Sequence, residues 1–524
     1  MPFLIAFLIG MLSVASYAPL ELWWLMPICL AALYHLVVNA SPKKAFLLGF
    51  IFAFGQFGVG VSWVYVSLQT YGNMPIWMAS LAVIGFVGLC AVVTAIAICS
   101  YSFLRFPKIG MLNAVLFSSL WVMSEWIRSV LFTGFPWLDV GYSQTTQLLS
   151  AFAPLGSVYL VSFVSVLISV NIWLSVFHYL KNSQFKKRIS DKGFIASAML
   201  IFLFIMFGLV LQNVTWSQAT GDKISVAIVQ ANVSIEEKWQ RELQSKILAD
   251  YFQLINQYQA DLVVLAETAL PVNLHQTDSE FWKQLKGQNN AILSGIVERD
   301  LIRNKIYNSA NLVCGQTPSS NSKEKNDFYH GEQIYRKQHL VPFGEYLPMR
   351  SLLTWVLDYL QIPMSDFSAG DRGQTLECQG LNIVLSICYE DAFAAELRRS
   401  MRRNSNNSVL INISEDAWFG DSLAPHQRVQ MAQMRAIEFS RPMLRSANSG
   451  PSSYINFQGD IVATTSQFVK DTILVEVQGR TGQTLFAKYG LWIIYFCFAL
   501  LVIRIGTIFL AKKHNKTSSE VNQS

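Results

Sequence analysis

Long apolar runs alternate with short polar segments over the first 214 residues, and one more apolar run lies near the C-terminal end. A run of about 20 apolar residues is long enough to cross a bilayer as a helix. The pattern predicts eight such helices, at residues 2–18, 22–39, 45–67, 75–103, 110–130, 152–179, 194–214 and 489–510. We interpret the first run as a span rather than a cleaved signal, because no basic residue precedes it and a second span follows at once.

Basic residues follow every second apolar run. They are Lys43 and Lys44 after the second run, Arg105 and Lys108 after the fourth, Lys181, Lys186, Lys187, Arg188 and Lys192 after the sixth, and Lys512, Lys513 and Lys516 after the eighth. The loops after the first and third runs carry no Lys or Arg. Because basic loops stay in the cytoplasm, we expect both termini to be cytoplasmic and residues 215–488 to lie outside.

From Lys223 onward, short apolar segments alternate with longer mixed ones. Strands are predicted at Ile224–Gln230, Leu262–Ala266, Ala291–Ile296, Ser309–Val313, Ile334–Lys337, Asn382–Ile387, Val409–Ile413, Met443–Ala447 and Ser453–Phe457. Helices are predicted at Glu236–Tyr258, Asp278–Leu285, Ala392–Arg403 and His426–Phe439. Interleaved strands and helices indicate an α/β domain. We therefore predict a seven-span helical bundle at 1–214, an α/β domain at 222–480, an eighth span at 489–510 and a tail at 511–524.

Composition agrees with this division. The chain is 52% hydrophobic and 14% charged, whereas soluble proteins carry about 25% charged residues. The first 222 residues contain only five acidic residues, Glu21, Glu125, Asp139, Asp191 and Asp222. Much of the basic excess behind the net charge of +6 lies in short loops between apolar runs, so this charge needs no nucleic acid to explain it and we expect no nucleic-acid partner.

The seven cysteines indicate one reactive thiol rather than a metal site. Cys29, Cys90, Cys99 and Cys497 lie in apolar runs, and no pair has the CxxC spacing typical of metal ligands. We therefore expect neither a metal nor an organic cofactor. In the α/β domain, Cys314 and Cys378 either form a disulfide or remain free. Cys388 stands directly after a predicted strand, where a turn would expose its sulfur as a nucleophile.

Glu267 and Lys337 stand at the ends of two other predicted strands, as Cys388 does. A thiol attacks as its thiolate, and a nearby cation and a nearby base favour that form. These three residue types therefore predict nucleophilic catalysis: Cys388 as nucleophile, Glu267 as general base and Lys337 as stabiliser of negative charge.

The order Glu, Lys, Cys at strand ends resembles the carbon–nitrogen hydrolase (nitrilase) superfamily, whose fold is an αββα sandwich. The surrounding segments closely resemble one branch of it, the apolipoprotein N-acyltransferase family. The matching segments are Thr133–Trp137, His339–Glu345, Cys388–Glu390, Asp416–Ser422, Arg435–Glu438 and Arg441–Pro442. That family also has eight spans, with the nitrilase-like domain between the last two. One departure is Glu415, where the family pattern usually has Asn.

The resemblance implies a bacterial inner-membrane acyltransferase with a periplasmic catalytic domain and ping-pong chemistry. An acyl chain would pass from a phospholipid to Cys388 as a thioester, and then to the α-amino group of a diacylglyceryl-cysteine at a lipoprotein N-terminus. The phospholipid donor, the diacylated lipoprotein and the bilayer are the expected partners. The resemblance also implies supporting roles at the site for Trp239, Glu345, Tyr389 and Glu390.

An unusually apolar stretch, Leu352–Leu360, lies between segments that carry site residues. It is either a buried helix of the sandwich or a flap that dips into the bilayer and admits acyl chains. In the second interpretation, Trp355, Leu357 and Leu360 contact the lipid.

Two other functions fit part of the sequence. A membrane-tethered amidase or nitrilase would use the same three residues with water as acceptor, but a soluble amide substrate needs no bundle of spans. A transporter with a regulatory outer domain would place charges at matching positions in two repeats, and the spans carry no such recurrence.

Overall fold

We describe a computed structural model of the chain over residues 1–181, 191–277, 279–287, 289–314, 332–346 and 366–521. The chain divides into two compact units. The first comprises Met1–Ser62, Leu81–Val214 and Leu491–Ser524, and the second comprises Trp63–Ser80 and Thr215–Gly490. The segment Trp63–Ser80 therefore clusters with the α/β region, although it includes the end of one predicted span, 45–67, and the start of the next, 75–103.

The first unit is helical. Its helices are α1 Pro2–Ser13, α2 Leu25–Val37, α3 Pro42–Gly60, α5 Ile76–Leu104, α6 Met111–Val130, α7 Ala153–Lys181, α8 Lys192–Gln212 and α15 Trp492–Val521; the first residues of α5 belong to the second unit. Helix α4, Trp63–Val66, continues as a π-helical turn, Ser67–Tyr71, and lies in the second unit.

Five described segments are long and apolar enough to span a membrane: Ile76–Leu104, Met111–Thr133, Leu148–Leu180, Lys192–Gln212 and Trp492–Ala511. A sixth results if Pro42–Gly60 and Trp63–Tyr71, which are bent at a break, count as one span. Pro2–Ser16 and Leu25–Val37 are apolar but shorter, and 13 to 15 helical residues at 1.5 Å each fall short of a hydrocarbon core of about 30 Å. The first unit thus contains helices that are long and apolar enough to cross a membrane. The count of eight spans and the domain limits stay predictions.

The second unit is built on a large sheet. Its strands are β1 Gln218–Gln230, β2 Leu262–Val264, β3 Ala291–Asp300, β4 Lys305–Cys314, β5 Glu332–Arg336, β6 Leu376–Cys378, β7 Leu381–Ile387, β8 Ser408–Ser414, β9 Met443–Ala447, β10 Ser453–Ile455, β11 Ile461–Thr464 and β12 Asp471–Thr481. Its further helices are α9 Ile235–Lys238, α10 Arg241–Ile255, α11 Ser279–Lys286, α12 Ala394–Arg403, α13 Leu423–Phe439 and α14 Leu485–Tyr489.

The strands form two halves that face each other. One half has the order β12-β1-β2-β3-β4-β5, and the other contains β6-β7-β8-β9-β10-β11. A single residue pair, Arg480 with Ser408, joins β12 to β8. The Ser446 hydroxyl on β9 donates to the carbonyls of Val229 and Val264 on the other half, at 3.2 and 3.3 Å. The two halves therefore pack face to face at this point.

Helices cover the outer face of each half. Helix α10 buries Ile247, Tyr251 and Ile255, spaced four residues apart on one helix face, against a core that includes Val263 and Ile292. Full burial of an isoleucine side chain contributes about 1.5–3 kcal/mol. On the other half, α12 packs against β7 and α13 against β9. The layers are helix, sheet, sheet and helix, the α/β arrangement predicted from the sequence.

Most predicted strands and helices occur within a few residues of their predicted limits. The predicted helix Glu236–Tyr258 is broken into α9 and α10 at Trp239 and Gln240, and the short strands β6 and β11 and the long β12 carried no prediction. Cys314 and Cys378 form a disulfide, which decides the alternative left open above.

Candidate active site

Cys388 lies at the first position after β7, in a strained turn. Its φ is +51°, a left-handed conformation that costs a non-glycine residue about 1–3 kcal/mol. The Cys388 carbonyl accepts hydrogen bonds from Arg428 Nη2 at 2.7 Å and Asn412 Nδ2 at 3.1 Å. These bonds hold the turn, and the buried strand β7 fixes where it begins.

Glu267 follows the end of β2 and is buried. Its Oε1 accepts from Asn308 Nδ2 at 2.7 Å and from Lys337 Nζ at 3.4 Å, and its Oε2 accepts from the Glu415 backbone N–H at 2.9 Å. Thr268, the next residue, also has a positive φ, +42°. A Cβ added at Gly295 on β3 would stand 2.5 Å from the Thr268 nitrogen and 2.7 Å from Glu267 Cα. Glycine at this position allows the Glu267 turn to lie against β3.

Lys337 and Glu345 complete a buried cluster with Glu267. Lys337 Nζ lies 2.9 Å from Glu345 Oε1. Asn308 Nδ2 also donates to Glu345 Oε1, at 2.9 Å, so it bridges the two carboxylates. Burial alone would lower the pKa of Lys337, but the charges of Glu267 and Glu345 outweigh it and hold that pKa above its ordinary value. Lys337 is therefore a permanent ammonium shared by two carboxylates.

The Cys388 thiol interacts electrostatically with this cluster. Burial and then the charge of Glu267 raise its pKa to about 12, against the opposing effects of Lys337 and Arg428. The resting thiol is therefore protonated at neutral pH. A base must remove the proton when the thiol reacts, and Glu267 is the carboxylate that acts on it most strongly.

Glu390 ties the Cys388 turn to the end of β5. Its Oε2 accepts from the Ile387 N–H at 2.7 Å and the Tyr335 hydroxyl at 2.8 Å. Its Oε1 accepts from the N–H groups of Gln338 at 2.6 Å and His339 at 3.0 Å. Burial raises the pKa of Glu390 to about 7, although these donors favour the charged form. Glu390 thus holds the Cys388 and Lys337 segments together.

The two aromatic candidates differ in exposure. The Tyr389 ring is buried and packs edge-on against Phe393, with centroids 5.0 Å apart. Trp239 is 49% exposed at the break between α9 and α10.

Comparisons with known proteins place this site in a family. The profile of the apolipoprotein N-acyltransferase N-terminal domain matches residues 9–171, and the carbon-nitrogen hydrolase profile matches residues 225–485. An apolipoprotein N-acyltransferase of Methylococcus capsulatus is 33% identical over 98% of this chain and 97% of the relative. One from Nitrosomonas europaea is 34% identical over 95% of each chain.

The chain belongs to the apolipoprotein N-acyltransferase family. The resemblance found in the sequence is thereby confirmed. Among solved structures, a nitrilase-superfamily protein of Saccharomyces cerevisiae is similar to 50% of this chain and 93% of its own, with 19% identity and a TM-score of 0.37.

The described structure of this family member brings together six of the ten residues singled out in the sequence. Glu267, Lys337, Glu345, Glu390 and Cys388 are linked by the contacts given above, and Tyr389 belongs to the Cys388 turn. Trp239 is connected to them only along the chain, because it follows Lys238, whose partner Glu415 contacts Glu267. Trp355, Leu357 and Leu360 lie outside the described residues. Among the described residues, no group of three or more His, Cys, Asp or Glu side chains could hold a metal ion.

Sequence reasoning missed several residues that build the site of this acyltransferase. Asn308 comes just before the predicted strand Ser309–Val313 but lies within β4, and Arg428 is a fully buried cation on α13. A polar residue next to an apolar strand was the available signal for Asn308, whereas Arg428 lies among other polar residues of α13 and carried no such signal. No local signal indicated that Trp63–Tyr71 packs on the loop after β8. There the rings of Trp63 and Phe419 lie 4.8 Å apart, and the Ser67 hydroxyl donates to the Trp418 carbonyl at 2.8 Å.

Proposed function

We propose that this member of the apolipoprotein N-acyltransferase family transfers an acyl chain from a phospholipid to lipoprotein N-termini through a thioester on Cys388. The observation that carries the proposal is the protonated Cys388 thiol in a strained turn beside a buried carboxylate, Glu267, and a buried ammonium, Lys337. This is the arrangement that acyl transfer by a covalent intermediate requires.

In the first half-reaction, Cys388 attacks the ester carbonyl of a phospholipid. The S–H proton passes to Glu267 as the C–S bond forms, and the carbonyl oxygen becomes an oxyanion that the Lys337 ammonium stabilises. When the intermediate collapses, the ester C–O bond breaks and the leaving lysophospholipid oxygen takes the proton from Glu267. The products are a Cys388 thioester and lysophospholipid.

In the second half-reaction, the neutral α-amino group of a diacylglyceryl-cysteine attacks the thioester carbonyl. Glu267 accepts a proton from the attacking nitrogen, and the Cys388 sulfur leaves and regains a proton. The product is an N-acylated lipoprotein. Glu345 holds Lys337 in place, Glu390 and Tyr389 shape the nucleophile turn, and Trp239 contacts substrate.

Exposed aromatic side chains next to site residues support a lipid substrate. Phe343 is 55% exposed two positions before Glu345, and Trp418 is 43% exposed in the loop that begins at Glu415. Exposed large apolar side chains are typical of surfaces that bind apolar ligands. We extend this role to Trp355, Leu357 and Leu360 as acyl-chain contacts, which stays a prediction.

The same reaction requires the catalytic domain to lie on the side to which lipoproteins are exported. We propose a bacterial inner-membrane protein with eight crossings, a bundle at 1–214, a periplasmic catalytic domain at 222–480, a last span at 489–510 and a cytoplasmic tail at 511–524. The alternation of basic loops supports this orientation. A reporter that works only in the cytoplasm should be active when fused after Lys516, and silence there would contradict it.

The test of the function measures lysophospholipid release by the purified full chain, with and without a diacylglyceryl-cysteine peptide. We expect one equivalent of lysophospholipid per enzyme without peptide, and sustained release together with N-acylated peptide when it is present. Sustained release and free fatty acid without peptide would instead indicate a hydrolase that uses water.

A further inference from the structure

A second buried ion pair lies directly behind the Glu267 carboxylate. Lys238 Nζ contacts Glu415 Oε2, and the two side chains are only 2% and 5% exposed. The backbone N–H of the same Glu415 donates to Glu267 Oε2 at 2.9 Å. One residue therefore contacts Glu267 through its main chain and the buried Lys238 ammonium through its side chain.

Asn448 adds a second connection to the same carboxylate. Its Nδ2 donates to Glu415 Oε2 at 2.9 Å and to the Val233 carbonyl at 2.6 Å. The Val233 N–H donates back to Asn448 Oδ1 at 3.1 Å, and the Asn448 N–H donates to the Ser414 carbonyl at 3.1 Å. Glu415 is thus held on two sides, and the segment that leads into α9 is tied to the end of β8.

The ion pair also fixes the backbone at Trp239, because Lys238 directly precedes this residue. Lys238 is the last residue of α9, and Trp239, which follows it, is half exposed. Because the Lys238 side chain is anchored inside, the backbone at Trp239 is fixed relative to the end of β8. The pair therefore links the proposed general base to the proposed substrate-contacting aromatic residue.

Burying two opposite charges is an expensive way to join two segments, since the loss of hydration cancels much of their attraction. A pair of apolar side chains of similar size would pack as well. The ion pair differs because its geometry is directional. It fixes the Glu415 main chain, and with it the backbone N–H that donates to Glu267 Oε2.

We propose that Lys238 and Glu415 are positioning residues for the acyl transfer: they hold the Glu267 carboxylate in the direction that takes the Cys388 proton, and they fix the Trp239 segment for the acyl donor. This inference rests on the proposed function. It predicts two separable effects, a lower rate constant for thioester formation at saturating donor and a higher donor concentration for half-maximal rate.

The test measures formation of the acyl-enzyme over time with the purified full chain, at a series of concentrations of a short-chain phosphatidylglycerol. The main variant is Lys238→Met combined with Glu415→Gln, which leaves no unpaired buried charge and should fold. We expect its rate constant at saturating donor to fall by about 10²-fold, the cost of misplacing a reacting group by about 1 Å. Lys238→Arg, which keeps the charge, should retain most of the wild-type rate.

Glu415→Asp is a second variant, which keeps the charge and withdraws it by one methylene. It should give a smaller loss of the same kind. The matched control is Glu298→Gln, which breaks another largely buried ion pair, with Arg336 at 2.5 Å. Because successive strand residues point to opposite faces of a sheet, Arg336 points away from the site of Lys337. This control should lower the melting temperature and leave both kinetic parameters unchanged.

If the double variant forms the acyl-enzyme with the wild-type rate constant and half-saturating concentration, the pair is only structural and the inference is wrong, whatever the melting temperature. If the wild-type chain forms no acyl-enzyme, the proposed function itself fails, and this inference fails with it.

Discussion

The two sides of Cys388 carry buried charges in different proportions. On one side, the single ammonium of Lys337 faces two carboxylates, Glu267 and Glu345. On the other, charges are matched one to one: Arg428 pairs with Asp391 at 2.8 Å and Arg445 pairs with Asp416, all fully buried.

This difference assigns proton transfer to the Lys337 side and support of the backbone to the Arg428 side. In a matched ion pair each charge has the other as its counter-ion, and moving a proton would leave a buried ion without its partner. On the Lys337 side, one carboxylate can take a proton while the ammonium remains paired with the other. Glu267 can therefore cycle between its two forms during the reaction, and the Arg428 side holds the backbone of Cys388 while it does so.

The largest effect should come from removing the carboxylate that moves the proton. Glu267→Gln keeps the size of the side chain but cannot accept the Cys388 proton. A general base contributes about 10²–10⁴-fold, so thioester formation should slow by that factor with little change in melting temperature. The rate of thioester formation is measured by stopping the reaction at a series of times and determining the acylated fraction of the protein by mass spectrometry. If Glu267→Gln formed the thioester at the wild-type rate, a residue other than Glu267 would be the general base.

The next largest effect concerns the shared ammonium. Lys337→Met removes the charge that faces the developing oxyanion and leaves two carboxylates without their cation. Loss of one such stabilising group costs about 10²–10³-fold in rate. The same acylation assay applies, with Lys337→Arg as the comparison that keeps the charge. If Lys337→Met instead kept the wild-type rate constant and only raised the donor concentration for half-maximal rate, Lys337 would have a role in binding the donor.

The matched side should respond in the opposite way. Asp391→Asn leaves the Arg428 guanidinium buried without its counter-ion, which costs about 3–5 kcal/mol of unfolding free energy. We expect a clearly lower melting temperature but, below that temperature, less than about a tenfold change in acylation rate. A rate loss as large as that of Glu267→Gln would erase the distinction between the two sides.

The smallest of these effects is the change of the unfolding free energy with pH that the titration of Glu390 causes. Its pKa rises from 4.5 to about 7 on folding, so between these values the folded state holds more protons than the unfolded state. Its stabilising contribution is complete below about pH 4.5 and is lost as the pH rises through 7, by about 3 kcal/mol in total.

Melting temperatures measured from pH 5 to 8 test this sign. Glu390→Gln does not titrate and should lack that part of the pH dependence, although the amide is destabilising at every pH because it cannot accept all four hydrogen bonds. A wild-type chain that gained stability relative to this variant as the pH rose would contradict the assignment.

The residues of the reacting side could be found in the sequence because each lies at the end of a predicted strand, where turns expose side chains. Glu267 after β2, Lys337 after β5 and Cys388 after β7 could all be found from this local pattern. The α/β architecture followed from the same alternation of strands and helices.

What could not be found depends on contacts between distant residues. Glu415 and Lys238 are 177 positions apart, and nothing in either segment specifies the other. Trp63–Tyr71 has the composition of a membrane span, yet it packs on the loop that contains Trp418. The raised pKa of Cys388 also could not be read from residue types, since burial has the largest influence on it.

Intact-mass analysis of the purified chain after incubation with a single defined phospholipid tests the central claim most directly. We expect a mass increase of one acyl group in place of one hydrogen, located on Cys388 by peptide analysis. This increase should be absent from Cys388→Ser and should be lost when a diacylglyceryl-cysteine peptide is added. A chain that turns over both substrates without ever carrying an acyl group on Cys388 would contradict it.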